Sequence, residues 1–160
     1  MLSIRVTGSD AVRDRLRGMP EEVQRALLAK VHALTLELEA HVKMDKLSGQ
    51  VLHVITGRLR RSIYSDVRTE GDAVIGRVFS SGDVPYAAIH EFGGRTAPHD
   101  IYPVKKQALS FMQSGKRAFY RHVRHPGSRI PERSYLRSSL DDMRDRIVRE
   151  MTDAVEESLR

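Results

Sequence analysis

The stretch Pro20–Lys46 reads PEEVQRALLAKVHALTLELEAHVKMDK, and its apolar spacing decides the fold. Val23, Leu27, Val31, Leu34, Leu38 and Val42 recur every three or four residues, the period of one helical face. Pro20 suits the first turn, where its missing N–H leaves no bond unmade. Glu21 and Glu22 complement the positive end of the helix, Lys43 and Lys46 its negative end, and Ser48-Gly49 stops it. At 1.5 Å per residue the rod is roughly 39 Å long, more than one small sheet covers. Part of it is therefore expected to meet a neighbouring subunit.

The end of the chain mirrors this helix. Across residues 132–159, Leu136, Leu140, Met143, Ile147, Met151, Ala154 or Val155, and Leu159 form a second apolar stripe, with both charge signs on the outer face. Between the two helices the period changes from 3.6 to 2. Tyr64–Thr69 and Ala73–Ser80 flank the turn signal Glu70-Gly71-Asp72 and read as a hairpin. Thr56 is expected to cap a short helix holding Leu59 and Ile63. A second short helix is expected from Pro85 to Phe92, with Gly93-Gly94 as its stop. Residues 93–100 read as a mobile loop. Ile101–Val104, Ala108–Met112 and Phe119–Val123 read as further strands, His125-Pro126-Gly127-Ser128 as a turn, and Pro131 closes an exposed loop. Leu2, Ile4 and Val6 alternate with polar residues as a short strand, and Ser9 or Asp10 caps a short helix with Val12 and Leu16. The expected fold is α+β: one domain, residues 1–160, with an antiparallel sheet packed against two long helices. Its parts are an N-terminal strand and short helix (1–19), the long helix (20–46), a basic sheet region (56–124) with the loop 93–100, and the C-terminal helix (132–159).

Composition narrows the function. With 160 residues the chain can bury a real core. It has no Cys, so disulfides and thiolate metal sites are excluded, in keeping with a reducing cytoplasm. No apolar run is long enough to span a membrane, and Met1–Asp10 lacks the basic-then-apolar order of a signal peptide. The net charge of +6 is concentrated in the middle: residues 51–133 carry 14 basic and 7 acidic side chains. Arg58, Arg60 and Arg61 form one group, and Lys116, Arg117, Arg121 and Arg124 another, with Phe119 and Tyr120 interleaved. Such a surface meets phosphates without reading sequence, or meets an acidic protein.

Signs of chemistry are sparse. His90-Glu91 and His99-Asp100 offer imidazole and carboxylate ligands, but no pair has the spacing of a known metal motif. There is no nucleophile elbow and no phosphate-binding glycine loop. No catalytic residue, metal site or cofactor is assigned, and the chain is expected not to be an enzyme. Glu91 stands out as a carboxylate on an apolar helix, expected to pair with an Arg of segment 56–63 within the subunit or across an interface.

The order of these segments carries a resemblance. Thr56-Gly57-Arg58-Leu59-Arg60-Arg61-Ser62-Ile63, then Tyr86-Ala87-Ala88-Ile89-His90-Glu91-Phe92-Gly93-Gly94, then His125-Pro126-Gly127-Ser128 and Pro131-Glu132-Arg133-Ser134-Tyr135-Leu136 resembles the virion-morphogenesis family of long-tailed phages, the tail-completion or neck proteins. The long helix before the first motif matches too; Ser134-Tyr135 stands where a small residue and Phe are commoner. The resemblance implies a non-enzymatic structural subunit that forms a ring, often a hexamer, between the head connector and the tail tube or tail terminator, in a virion assembled in the host cytoplasm. Arg58, Arg60, Arg61, Tyr86, Glu91, Phe92 and Tyr135 are the expected interface residues, and Lys116, Arg117, Arg121 and Arg124 the expected lumen or DNA-facing ones. Two other classes compete: a DNA-binding protein acting alone, with a steep salt dependence, and a metal-dependent hydrolase using His90, Glu91, His99 and Asp100.

Overall fold

A computed structural model describes residues 21–70, 73–105 and 107–158, and the backbone of 2–5. The expected short helix of residues 10–16, the turn residues Gly71 and Asp72, and Leu159 lie outside the described residues. Helix α1 spans Glu21–Met44, with Glu21 and Glu22 in its first turn and His41 and Lys43 in its last. It buries Val23, Leu27, Leu34, Leu38 and Val42, most of the stripe its spacing predicts. Lys46 falls beyond it, in a 3-10 turn over Lys46–Ser48.

Strands β1 (Leu2–Arg5), β2 (Ile63–Glu70) and β3 (Ala73–Ser80) form an antiparallel sheet in the order β1-β3-β2. The β2–β3 hairpin pairs Ile63 with Ser80 and Glu70 with Ala73, so the turn lies where the sequence puts it. One face of the sheet rests on α1. The approach is close at Gly76, where a Cβ would lie 2.0 Å from Thr35 Oγ1 and 3.3 Å from Val31 Cγ1, so a larger residue fits only if the Thr35 side chain gives way. The opposite face carries Tyr64, Asp66, Arg77 and Phe79; Arg77 Nε donates to Asp66 at 2.8 Å and holds that carboxyl below its ordinary range.

Helix α2 is the single turn Arg58–Arg61, and Ile63 already belongs to the sheet. Gly57, not Thr56, occupies its cap position, in a left-handed conformation (φ 69°) that Thr would adopt at a cost. Thr56 Oγ1 still accepts the Arg58 N–H at 3.3 Å. Helix α3 spans Ala87–Phe92, and α4 spans Leu136–Ser158. α4 runs antiparallel to α1, tied to it by Lys30–Glu150 (3.2 Å) and His41–Asp142 (3.0 Å), and to the 3-10 turn by Lys46–Asp142 (2.6 Å). Between these layers sit Leu38, Val42, Leu47, Leu52, Ile63, Val78, Tyr135, Leu136 and Met143. Leu140 and Ile147 pack against them, as the stripe on the last helix requires.

The region between α3 and α4 departs from expectation. Residues 93–100 are not an unpaired loop. β4 (Gly94–Arg95) pairs with β9 (Arg129–Ile130), β5 (His99–Ile101) with β8 (Val123–His125), and β6 (Leu109–Gln113) with β7 (Lys116–Tyr120), all antiparallel. The three ladders are nested, so residues 94–130 form one long interrupted hairpin, an arm. Its first two ladders keep one register because residues 96–98 on the outgoing side lie opposite residues 126–128 on the return. Thr96 N donates to Ser128 O at 2.9 Å, and Ser128 N to Thr96 Oγ1 at 2.7 Å. The expected strand at Ile101–Val104 stops at Ile101, and Val104 is 94% exposed. The expected strand at Phe119–Val123 is split at Arg121-His122. The basic sheet region of 56–124 therefore divides into a core hairpin and this separate arm.

Candidate functional site

Two of the quoted motifs meet in space. Short helix α3 presents Glu91, only 1% exposed, to the segment entering α4. Its Oε2 accepts the backbone N–H groups of Tyr135 at 2.8 Å and Leu136 at 2.9 Å. Its Oε1 accepts the N–H of Arg137 at 2.9 Å and the Ser134 hydroxyl at 2.6 Å. The first turn of a helix has N–H groups with no intrahelical acceptor and a positive dipole end. A carboxylate placed there satisfies the donors and is itself stabilised, which is how it stays buried without a cation. Glu91 is thus a cap delivered from 44 residues away rather than the partner of Arg58, Arg60 or Arg61 in the same subunit.

Tyr135 completes the latch. It is fully buried, and its hydroxyl donates to Ala87 O at 3.4 Å, back to the start of α3. Burial, and then the nearby Glu91 charge, push its phenol above the ordinary range. Arg133 N donates to His90 O at 2.8 Å, a further tie between the motifs. Gly93 ends α3 at φ 68°, ψ −175°, and a Cβ there would lie 2.8 Å from Glu132 N. The glycine is required both by conformation and by the close approach of the returning chain.

Burial, and then the Arg133 charge, lower the pKa of His90 from the 6.5 of a free imidazole. Its Nδ1 is buried with no hydrogen-bond partner among the described residues. The unfolded chain takes this proton near pH ~6.5 while the folded one resists it. The neutral ring therefore supports folding above that pH, and the contribution is lost as pH falls below it. Calorimetric melting between pH 7 and 5 should show a shallower loss of stability in His90→Gln than in the parent chain; equal slopes would sink this assignment.

The other expected interface residues are scattered. Arg58 and Arg60 are exposed but held by their own chain, to Asp83 O (2.7 Å) and Ser48 Oγ (3.2 Å). Arg61 is exposed. Tyr86 is half-buried, edge-on to His90 at 5.9 Å, and Phe92 is 57% exposed at the root of the arm. Glu91 and Tyr135 lie inside the protomer and can shape an interface only through the latch. The four residues His90, Glu91, His99 and Asp100 do not converge: Glu91 is engaged with α4, whereas His99 stacks on His125 out on the arm, ring centroids 5.1 Å apart.

Lys116, Arg117, Arg121 and Arg124 all lie exposed on the arm. Residues 94–130 hold eight basic side chains and one acidic one, Asp100, a net +7 against +6 for the whole chain. The rest of the protein is therefore nearly neutral. None of the arm's described residues is buried, although Phe111, Met112, Phe119 and Tyr120 are among them. Sequence reasoning found the charge but not the arm, because the pairs at its root, Gly94 with Ile130 and Arg95 with Arg129, are far apart in the chain.

The model of the phage virion morphogenesis family matches residues 32–159 of the chain. The chain belongs to this family. Both halves of the latch and the whole arm lie inside the matched span, so the features described here sit in the family's own region. The chain accordingly has a structural part in building a phage particle, in common with other virion components. Nothing among the curated proteins or the solved structures matches it. Among the described residues no helix is long and apolar enough to cross a membrane.

Proposed function

We propose that this chain is a ring-forming subunit of the head–tail junction, a tail-completion or neck protein joining the head connector to the tail tube or tail terminator. The observation that carries the reading is an exposed arm bearing the chain's whole net charge, in a member of a virion-morphogenesis family. Such a surface suits assembly rather than turnover: the latch sets the arm's root against α4, and the arm is offered to a partner. A ring, most simply a hexamer, joins subunits through two unlike surfaces, as cyclic symmetry above two demands. Helix α1 supplies a second uncovered surface. Ala29, Ala33, Leu36, Ala40 and Met44 form an exposed apolar stripe beside the buried one, with Leu36 61% and Met44 67% exposed. The excess of helix over sheet thus takes the form of a lengthwise face rather than an overhanging end.

Electron microscopy of particles made without this protein tests the proposal. Filled heads and finished tails that fail to join, or tails of uncontrolled length, are the expected result. Normal virions from which the protein is absent would overturn it. The +7 arm favours one rival, a DNA-binding protein acting alone, which predicts tight, salt-sensitive binding of duplex DNA by the purified chain.

A further inference from the structure

The root of the arm holds two arginines without a carboxylate between them. Arg95 and Arg129 are register partners in the ladder of β4 and β9, so their side chains leave the same face, with Cβ atoms about 5 Å apart. Like charges directly opposite on a ladder repel. The charged rung further out, Asp100 with Arg124, has the ordinary arrangement, an acid facing a base at 3.5 Å. Arg95 and Arg129 are exposed, and neither has a hydrogen-bond or ion-pair partner among the described residues. The backbone gives them little room to part. The adjacent residues Thr96 and Ser128 exchange two hydrogen bonds, and a Cβ on Gly127 would lie 2.1 Å from Thr96 O.

Both arginines line one cleft of about 550 Å³ where the arm leaves the body. Phe92, 57% exposed, gives it an apolar side together with Ile130 and Pro131. Glu132 lines the cleft as well, but its carboxylate is engaged by the Arg137 guanidinium. The cleft therefore offers two positive charges, without a counter-ion among the described residues, beside an apolar wall.

We infer that Arg95 and Arg129 together form a binding site for a phosphate dianion, either the free ion or a phosphate monoester. Each guanidinium presents a planar fork of N–H donors that takes an oxyanion through paired hydrogen bonds. A carboxylate brings one charge and fills one fork. A phosphate carries about −1.5 to −2 at neutral pH with three acceptor oxygens, which suits both forks at once. A duplex brings one charge per phosphodiester and leaves Phe92 uncovered. A monoester with an apolar organic part covers that wall too. The bound anion turns repulsion across the rung into a bridge between the strands, so it tightens the joint on which the arm stands. The site does not depend on the ring reading.

The isotope-labelled full chain is titrated with sodium phosphate and, separately, with phenyl phosphate, at an ionic strength held constant with chloride so that screening does not change. The amide NMR spectrum reads binding and shows that each variant is folded. Saturable shifts of the Arg95, Thr96, Ser128 and Arg129 amides in the millimolar range are expected. Arg95→Gln and Arg129→Gln should each weaken binding about tenfold or more, as loss of a charge-assisted pair of hydrogen bonds requires. Lys116→Gln, at the arm's tip, should bind as the parent does. Tighter binding of phenyl phosphate than of inorganic phosphate assigns the site to a monoester; equal binding assigns it to the free ion. No saturable shift with either probe overturns the inference. So does a shift that persists in folded Arg95→Gln with Arg129→Gln, or one that Lys116→Gln weakens as much. Acetate binding as tightly as phosphate overturns the choice of a dianion. A short DNA duplex that moves these amides where neither phosphate probe does overturns the inference in favour of nucleic acid.

Discussion

Glu91→Ala is expected to destabilise the chain by about 3–5 kcal/mol, the range for removing one side of a buried charged arrangement. The carboxylate accepts three backbone N–H groups and one hydroxyl at the start of α4, and it is 1% exposed. Alanine leaves those donors facing an apolar space. Each buried donor without an acceptor costs about 1–3 kcal/mol, less where water can enter beside Ser134. For a domain of this length, 1 kcal/mol moves the melting temperature by about 2–4 °C, so a drop on the order of 10 °C is predicted. Glu91→Gln should recover part of the loss, because its carbonyl oxygen still accepts while its amide nitrogen faces donors. Urea unfolding of the three proteins measures the order. A Glu91→Ala chain within about 1 kcal/mol of the parent would show that α4 does not need this cap.

This latch also marks where reading a sequence stops. The helix of Glu21–Met44 was legible because periodicity, end charges and the glycine stop agree on one structure. The hairpin of Ile63–Ser80 was legible because its turn is local. Glu91 was legible as a carboxylate needing a partner, and a cation was the natural expectation. Nothing local says that the partner is the N-terminus of a helix 44 residues on, where Ser134 Oγ accepts only the Ser138 N–H. The missing signal is a negative one: α4 begins at Leu136 with no acidic side chain in its first turn, so its positive end is open to a carboxylate from elsewhere. The arm failed to show for a related reason. Pro98 and Pro126 read as breakers when taken singly, yet they lie in opposed interruptions of equal length, which leave the register of the ladders intact. Breakers signal loops only when their counterparts across the ladder are unknown. The basic residues of the arm needed no such knowledge, since charge is additive along the chain and pairing is not.

Gly93→Ala is the second large effect, expected at about 3 kcal/mol or more. Two costs add. The φ of 68° with ψ −175° lies in a region essentially reserved for glycine, worth about 1–3 kcal/mol to any other residue. The new Cβ would also sit 2.8 Å from Glu132 N and 3.2 Å from both Glu132 Cα and Ile130 O. All three are backbone atoms, so no side-chain rotation relieves the contact, and the segment leading into α4 must move. That segment delivers Tyr135 and Leu136 to Glu91, so a shift sufficient for the methyl group also lengthens the capping hydrogen bonds. Gly93→Ala and Glu91→Ala should therefore be less than additive, by about 1 kcal/mol or more, since each damages what the other holds. Gly115→Ala at the arm's tip is the control. It too has positive φ (77°), but a Cβ there meets nothing within 4 Å, so only a conformational cost of about 1 kcal/mol remains. Denaturant unfolding of the two single variants separates the contributions. If Gly93→Ala costs no more than Gly115→Ala, the chain at Glu132 yields freely, and the tight junction of α3, the arm and α4 is not what holds the arm's root in place.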